Sequence, residues 1–595
     1  MNIEKKIRIG CASAFWGDTS TAAKQLVEKG RLDYLVFDFL AEVTMSILAG
    51  AKLKNPKMGY ATDFVKQVSP LLKDIKERNV KVISNAGGLN PNACRLILIE
   101  EAEKLGIELK IAVVKGDDLS EMAQNFKDQG IQEIENNEGI PEDCLSINAY
   151  LGAPGIVSAL DKEADIVITG RCVDSAMVLA PLMYEFKWEN SNYDLMASGS
   201  LAGHIIECGA QCTGGNYTDW AQVNGFDDMG FPIVEVSANG DFTVSKPEET
   251  GGLVTVGTVA EQFLYEIGNP SEYFLPDVVC DFTNVTIQST GDHKVLVKGA
   301  KGHPPTDKYK VSLTHMNGFR VAGTLVIGGM RSKQKGEIIA NAIFKKTRRI
   351  LKENNLNDFS ETSFDLIGAD SIYGPENMAE DSKELVLRLL ARHPKKEALI
   401  LFSRELAQAA TGMASGVMNY LGGRPAVSPS IHLFSFLIPK NQIVVEVDID
   451  KNKFNVNIDD QGEYKRSEII PEPNIKVPNL DFSKSVPLIK LAFARSGDKG
   501  DHANIGIIAR DPEFLPYIKN ALTKDAVAQY FKHVLKGTIE CWDVPGINGL
   551  NFLLKNSLGG GGMASLNIDP QGKAYAQQLL EYKIPVSEKI SQQVT

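Results

Sequence analysis

The spacing of apolar and polar positions changes character along the chain. The runs KIRIGCA (6–12), LDYLVFDFLAE (32–42), NVKVISNAGG (79–88), IELKIAVV (107–114) and ADIVITGRC (164–172) are short, apolar and rich in β-branched residues. Between them, TAAKQLVEKG, EVTMSILAGAKL, NPNACRLILIEEAEKLG and VDSAMVLAPLMYEF carry helical spacing. Strands that are continuously apolar, not alternating, belong to a parallel sheet with helices on both faces. Residues 1–220 are therefore expected to form an α/β domain.

From Val278 to Ile327 the pattern becomes short strands separated by turn residues, with no helical segment among them. GEIIANAIFKKTRRILKEN and SRELAQAATGMASGVMNYLGG then read as helices, Arg392-His-Pro394 as a helix end, and FDLIGAD and IHLFSFLIPKNQIVVEVDID as strands. Residues 221–458 are thus expected to be a mixed α+β region with antiparallel strands. Residues 459–487, rich in proline and charge and without periodicity, read as a linker. The strand and helix succession over 488–590 suits a ferredoxin-like α+β sandwich.

At 595 residues, with 43% hydrophobic and 23% charged, the chain can bury several cores, which excludes disordered, collagenous and coiled-coil classes. Its net charge of -12 argues against holding nucleic acid by bulk electrostatics, while leaving room for a local basic pocket. The opening residues lack the apolar core of a secretory signal, and no apolar run approaches about eighteen residues. A cytoplasmic protein without a membrane partner is expected. The eight cysteines are scattered and form no CxxC pair, so reduced thiols are expected.

Ligands of open parallel sheets bind at the carboxyl ends of strands. The loops there carry Asp18, Asp38, Glu42, Asn85, Gly87, Gly88, Asn90, Arg171 and Asp174, enough for a carboxylate base beside an arginine that holds an anion. Asp174 reads equally as a helix cap and Asn90 as a turn residue before Pro91. Further on, His204, Cys208 and Cys212 share one face if a single helix spans them. Their span of about 12 Å is too long for one metal ion, so His204 and Glu207 remain as polar site candidates, against simple helix packing.

The densest polar cluster is Arg495-Ser496-Gly-Asp498-Lys499-Gly-Asp501-His502-Ala-Asn504-Ile-Gly506, read as a loop between two apolar strands. Its charges suit a phosphate or carboxylate, and its glycines a close backbone approach. The alternative is a solvated loop whose side chains bond their own turn. Gly559–Gly562 is either a mobile loop or a place where an anion or a neighbouring backbone meets Gly560 and Gly561.

RIGCASAFWGD, FDFLAE, SNAGGLNP, ADIVITGRCVDSAMVLAP and GHIIECGAQCTGGN resemble the acyclic terpene utilisation protein AtuA family. RSGDKGDHANIG and SLGGGG resemble the small ferredoxin-fold domain that accompanies it. The resemblance implies degradation of acyclic terpenes and related branched acids through acyl-CoA intermediates, beside an acyl-CoA carboxylase. It transfers no catalytic residue.

These observations together suggest an enzyme with hydratase, dehydratase or lyase-like chemistry on an acyl-CoA or branched carboxylic acid. No metal or cofactor is predicted, CoA entering only as part of the substrate. Asp38, Glu42, Arg171, Asp174, His204 and Glu207 are the catalytic candidates, with Asp38 or Glu42 as base. The substrate-binding candidates are Asp18, Asn85, Gly87, Gly88, Asn90, Arg495, Ser496, Asp498, Lys499, Asp501, His502, Asn504, Gly560 and Gly561. Two other readings stand beside this one: a non-catalytic substrate-binding partner of the carboxylase, and a metal-dependent hydrolase using Asp498, Asp501 and His502. A homo-oligomer is expected by analogy with other large cytosolic enzymes.

Overall fold

The computed structural model describes residues 5–376, 382–419, 422–465 and 480–594. An eleven-stranded sheet organises the larger part of the chain. At its centre lie five parallel strands in the order Lys6–Cys11, Tyr34–Phe37, Lys81–Ser84, Ile166–Thr169, Ile111–Lys115. Successive residues of one strand enter different cores. Ile166 and Ile168 pack on one side of the sheet with Phe64 and Leu98, and Val167 on the other with Ile156 and Leu201. Burial on both faces is why these strands read as unbroken apolar runs.

The sheet does not stop at residue 220. Ile233–Ser237 adds antiparallel to Lys6–Cys11 on one side, and Glu446–Ile449 to Ile111–Lys115 on the other. A second sheet is built on the long strand Lys308–Gly328, which pairs with Cys144–Ala149, Ser428–Pro439 and Glu384–His393. Because Cys144–Ala149 comes from the first region and Glu446–Ile449 from the second, the two regions interleave, and the expected boundary at 220 is not a division of the architecture. Arg392-His393 ends a strand, not a helix. The helix expected over 403–423 resolves into Lys396–Glu405, a short turn of helix at Ala409–Gly412, and the strand Val417–Asn419.

The last hundred residues form an antiparallel sheet in the order Ala492–Lys499, His502–Ala509, Gly549–Leu554, Ile539–Val544, with helices including Leu515–Ala521 and Tyr575–Leu579. Part of the expected linker, Lys484–Pro487, is a strand pairing with Lys583–Val586; residues 466–479 lie outside the described residues. The polar motif at 495–506 is not a long loop. Arg495 pairs with Gly506 and Lys499 with His502, leaving Gly500 and Asp501 as the turn. Ala503, Ile505 and Ile507 alternate into the small core, and that alternation carries the strands through the polar residues.

This hairpin docks on the helix Val256–Leu264. A Cβ on Gly497 would lie 2.4 Å from the Tyr265 ring, and one on Gly506 2.4 Å from Leu264 Cβ. These glycines therefore admit the neighbouring element of the same chain, not a ligand. No helix among the described residues is long and apolar enough to cross a membrane.

Candidate functional site

The carboxyl ends of the parallel strands bring together four of the expected residues. Asp38 follows the second strand and is 6% exposed. Its Oδ1 accepts from Asn85 Nδ2 at 2.7 Å and from Leu40 N at 3.3 Å, while Asn85 Oδ1 accepts from Phe39 N at 2.8 Å. Arg171 is 4% exposed; its Nη1 donates to Leu40 O at 2.6 Å and to Asp174 Oδ1 at 2.5 Å. The guanidinium stacks 4.4 Å from the centre of the Tyr150 ring. Burial raises the Asp38 carboxyl well above its ordinary range and the charge of Asp174 adds to the rise, while Arg171 and Asn85 pull it down.

Asp117, one loop further along the rim, supports this arrangement. Its Oδ2 accepts from Arg171 N at 2.7 Å and from Asn148 Nδ2 at 3.0 Å. Burial pushes its carboxyl up to about 7. Asp117 is absent from the residues expected from the sequence, although the strand-end rule that selects the other loops applies equally to Lys115-Gly116-Asp117 and could have found it.

A second wall comes from the end of the helix Tyr193–Ile206. The helix stops there and Gly209 turns the chain at φ +56, so His204, Cys208 and Cys212 do not share a helix face. His204 Nε2 lies 3.2 Å from Phe263 O, and Nδ1 lies 3.0 Å from Glu207 Oε1. A carbonyl only accepts, so Nε2 carries the hydrogen. Burial brings the imidazole down to about 4. The Glu207 carboxyl is raised by burial first and Asp174 second, against Lys499 and Arg171. A neutral imidazole beside a protonated carboxyl, which donates to Nδ1, satisfies both shifts.

The C-terminal domain supplies the third wall. Lys499 Nζ lies 5.1 Å from the Tyr273 ring centre, and that ring is 6.0 Å from His204. Lys573 Nζ lies 4.4 Å from the Tyr265 ring and 3.9 Å from Glu266 Oε1. Glu266 has a left-handed backbone, φ +58, held by its N–H donating to Asn504 Oδ1 at 2.9 Å. Burial, then Asp498, raises its carboxyl. The Glu207 and Glu266 side chains are nonetheless 15% and 36% exposed. Groups hemmed in by protein and still wetted on one side line a cleft. Tyr150, Tyr265, Glu266, Tyr273 and Lys573 carry no local sequence signal; only tertiary packing gathers them.

The cleft thus holds Asp38, Asp174, Glu207 and Glu266 beside Arg171 and Lys499. The raised proton affinity of Asp38, Glu207 and Glu266 suits them to deliver or take a proton, and the two cations can hold an anionic substrate.

Other expected site residues have structural work. Asp18 accepts from Ala14 N at 2.9 Å within its own loop, and burial raises its carboxyl. A Cβ on Gly87 would lie 2.5 Å from Thr169 O, and one on Gly88 2.4 Å from Leu48. Asn90 caps the helix Pro91–Lys104 and donates to Pro56 O and Met58 O, both at 2.9 Å. Arg495 is buried against Glu261 at 3.0 Å and also bonds Gln211 and Gly215. Ser496 donates to Gly572 O at 2.6 Å, and Asn504 to Leu264 O at 2.6 Å. Only Asp498 and Lys499 of the 495–506 motif face the cleft.

Asp501 and His502 hold the glycine loop and its approach. Gly560 N donates to Asp501 Oδ1 at 2.6 Å, Asn556 N donates to His502 Nδ1 at 3.1 Å, and His502 Nε2 meets Glu135 at 3.1 Å. Gly560 and Gly561 have φ of +97 and +64, and a Cβ on Gly561 would lie 2.3 Å from Gly500 O; the loop accommodates a neighbouring backbone. The helix Glu42–Lys54 begins beside Asp38, and the side chain of Glu42 lies outside the described residues. Among the described residues no three His, Cys, Asp or Glu side chains are grouped as one metal ion would require.

Residues 7–449 match the family model described as acyclic terpene utilisation family protein AtuA, and residues 486–585 match that of the AtuA ferredoxin-like domain. No curated protein and no solved structure matches the chain.

Proposed function

The chain belongs to the acyclic terpene utilisation family AtuA, and from that premise we propose that it is an enzyme acting on a branched acyl-CoA or carboxylic acid by proton transfer, in the manner of a hydratase, dehydratase or lyase. The observation that carries this reading is the convergence of Asp38, Asp174 and Glu207 with Arg171 and Lys499 around one wetted cleft. In this reading Asp38, oriented by Asn85, takes a proton from the carbon next to the substrate carbonyl. In dehydration Glu207, protonated and backed by His204, gives its proton to the departing hydroxyl, which leaves as water. In hydration the roles reverse, ionised Glu207 taking a proton from the adding water while protonated Asp38 delivers one to the carbon. Lys499 neutralises the negative charge that develops on the carbonyl.

Arg171 is held by Leu40 and Asp174, so its part is to fix the pocket and supply positive field to the bound anion. The substitution Asp38→Asn keeps the shape and the Asn85 contact in large part while removing the base. Turnover of a branched acyl-CoA or branched acid is expected to fall by about 10²–10⁴-fold with little change in thermal stability. Steady-state kinetics checks this, and wild-type turnover in the variant would remove Asp38 from the reaction. If the purified wild-type chain turns over none of these substrates but isolates with a stoichiometric acyl-CoA carboxylase, the catalytic reading is wrong.

A further inference from the structure

The second sheet has one face in its core and another that is polar. Leu385, Leu387, Leu389 and Ala391 of the strand Glu384–His393, and Val321 and Leu325 of the long strand, enter the core beneath the helices Ser332–Glu353 and Lys396–Glu405. The alternate positions put Arg388 and Arg392 on the opposite face. The antiparallel register sets Arg320 directly across from Arg392, and Thr324 across from Arg388. Three guanidiniums therefore share one patch in a chain whose net charge is -12.

Their partners do not exhaust them. Arg392 Nη1 donates to Glu361 Oε2 at 2.8 Å, and Arg388 Nη1 to Asp365 Oδ2 at 2.8 Å and Leu566 O at 3.3 Å. Arg320 Nη1 donates to Met563 O. Arg392 Nε and Nη2 are shut away from water and have no hydrogen-bond partner among the described residues. Charged donors left in this state, among like charges, cost stability that an anion would restore. The neighbours show the same field: burial and the other two guanidiniums hold Arg320 below its ordinary value, and burial with Arg392 brings His432 down to about 4.

We propose that Arg320, Arg388 and Arg392 form a binding site for the phosphate group of an anionic ligand. Donors from several guanidiniums suit a group with three acceptor oxygens better than a carboxylate with two. Met563 and Leu566, whose carbonyls anchor two of the arginines, continue directly from the glycine loop Gly559–Gly562. That loop also abuts Gly500, next to Lys499 of the acid cleft. One loop thus borders both sites. The phosphate site is argued independently of the reaction: either can fail while the other stands.

The test is calorimetric titration of the full chain in phosphate- and sulfate-free buffer at low ionic strength, with pyrophosphate, adenosine 3′,5′-bisphosphate and acetate. Saturable binding of a phosphate compound is expected, with none of acetate over the same range. Arg392→Gln and Arg320→Gln should each weaken it about tenfold or more. Arg348→Gln, on an exposed arginine paired with Asp358, should leave it unchanged. Tighter binding of the bisphosphate marks a phosphate ester as the source, and tighter binding of pyrophosphate a free phosphate. The proposal is overturned if wild type binds neither, if acetate binds as well, or if both variants bind like wild type.

Discussion

Two polar motifs, the rim of the parallel sheet and the hairpin at 495–506, look equally functional as strings of residues and do opposite things. Where the rim meets the end of the helix Tyr193–Ile206, Asp38 and Glu207 are crowded beside Asp174 around a wetted cleft, and burial with the Asp174 charge raises both carboxyls. In the hairpin, Arg495, Ser496 and Asn504 are buried and fully engaged with the larger region. What separates them is whether the same chain supplies a complement. A polar group with a buried partner glues an interface, and one whose partner is incomplete is available to a ligand.

The largest effect that would sharpen this contrast is at Arg495. Arg495→Ala leaves Glu261, which is fully buried, without its cation, and should cost about 3–5 kcal/mol of stability. Replacing both partners by apolar residues should restore most of it. Denaturant unfolding of the single and double variants decides the point; a single variant as stable as wild type would mean that the pair is not the seam's anchor.

The next effect lies at the rim and depends on pH. Folded Asp117 keeps its proton up to about 7, whereas the unfolded carboxyl loses it near pH ~4. Its contribution is therefore full at low pH and is lost as pH rises from about 4 to 7. Asp117→Asn should gain on wild type across that window and then level off. His204, brought down to about 4, has the opposite sign, losing its contribution as pH falls from about 6.5 to 4. A difference between variant and wild type that is independent of pH would show Asp117 to ionise normally.

Gly497→Ala should cost about 1–3 kcal/mol by overpacking against Tyr265, since the added carbon would lie 2.4 Å from the ring. Its reporter is loss of thermal stability with the small domain's own fold retained. The smallest effect is at Asn90, where the cap reading predicts about 1 kcal/mol for Asn90→Ala and unchanged kinetics. A large fall in kcat there would return Asn90 to the substrate site.

The parallel core was legible because both its faces are buried, which leaves continuous runs such as Ile166–Thr169 in the sequence. Asp38, Asn85, Arg171 and Asp174 were legible because the ends of those strands define a rim. The polarity of 495–506 was visible, but its purpose depends on Glu261 and Leu264, more than two hundred residues earlier. Glu266, Tyr273 and Lys573 join the cleft only when the small domain docks. The arginine patch depends on register: Arg320 and Arg392 become neighbours only through antiparallel pairing, which no local pattern at either position announces.

The Arg495–Glu261 pair also fixes an order of events during synthesis. Glu261 precedes its partner by 234 residues, so at about 5–20 residues per second the ribosome takes roughly ten to fifty seconds to make the cation that the carboxylate awaits. Through that interval the nascent large region carries an unneutralised acid on the surface that will receive the hairpin. Lys499 and Lys573 are still to be made, and the cleft lacks its third wall. The cleft is thus completed only after the C-terminal domain that carries Lys499 and Lys573 has been made.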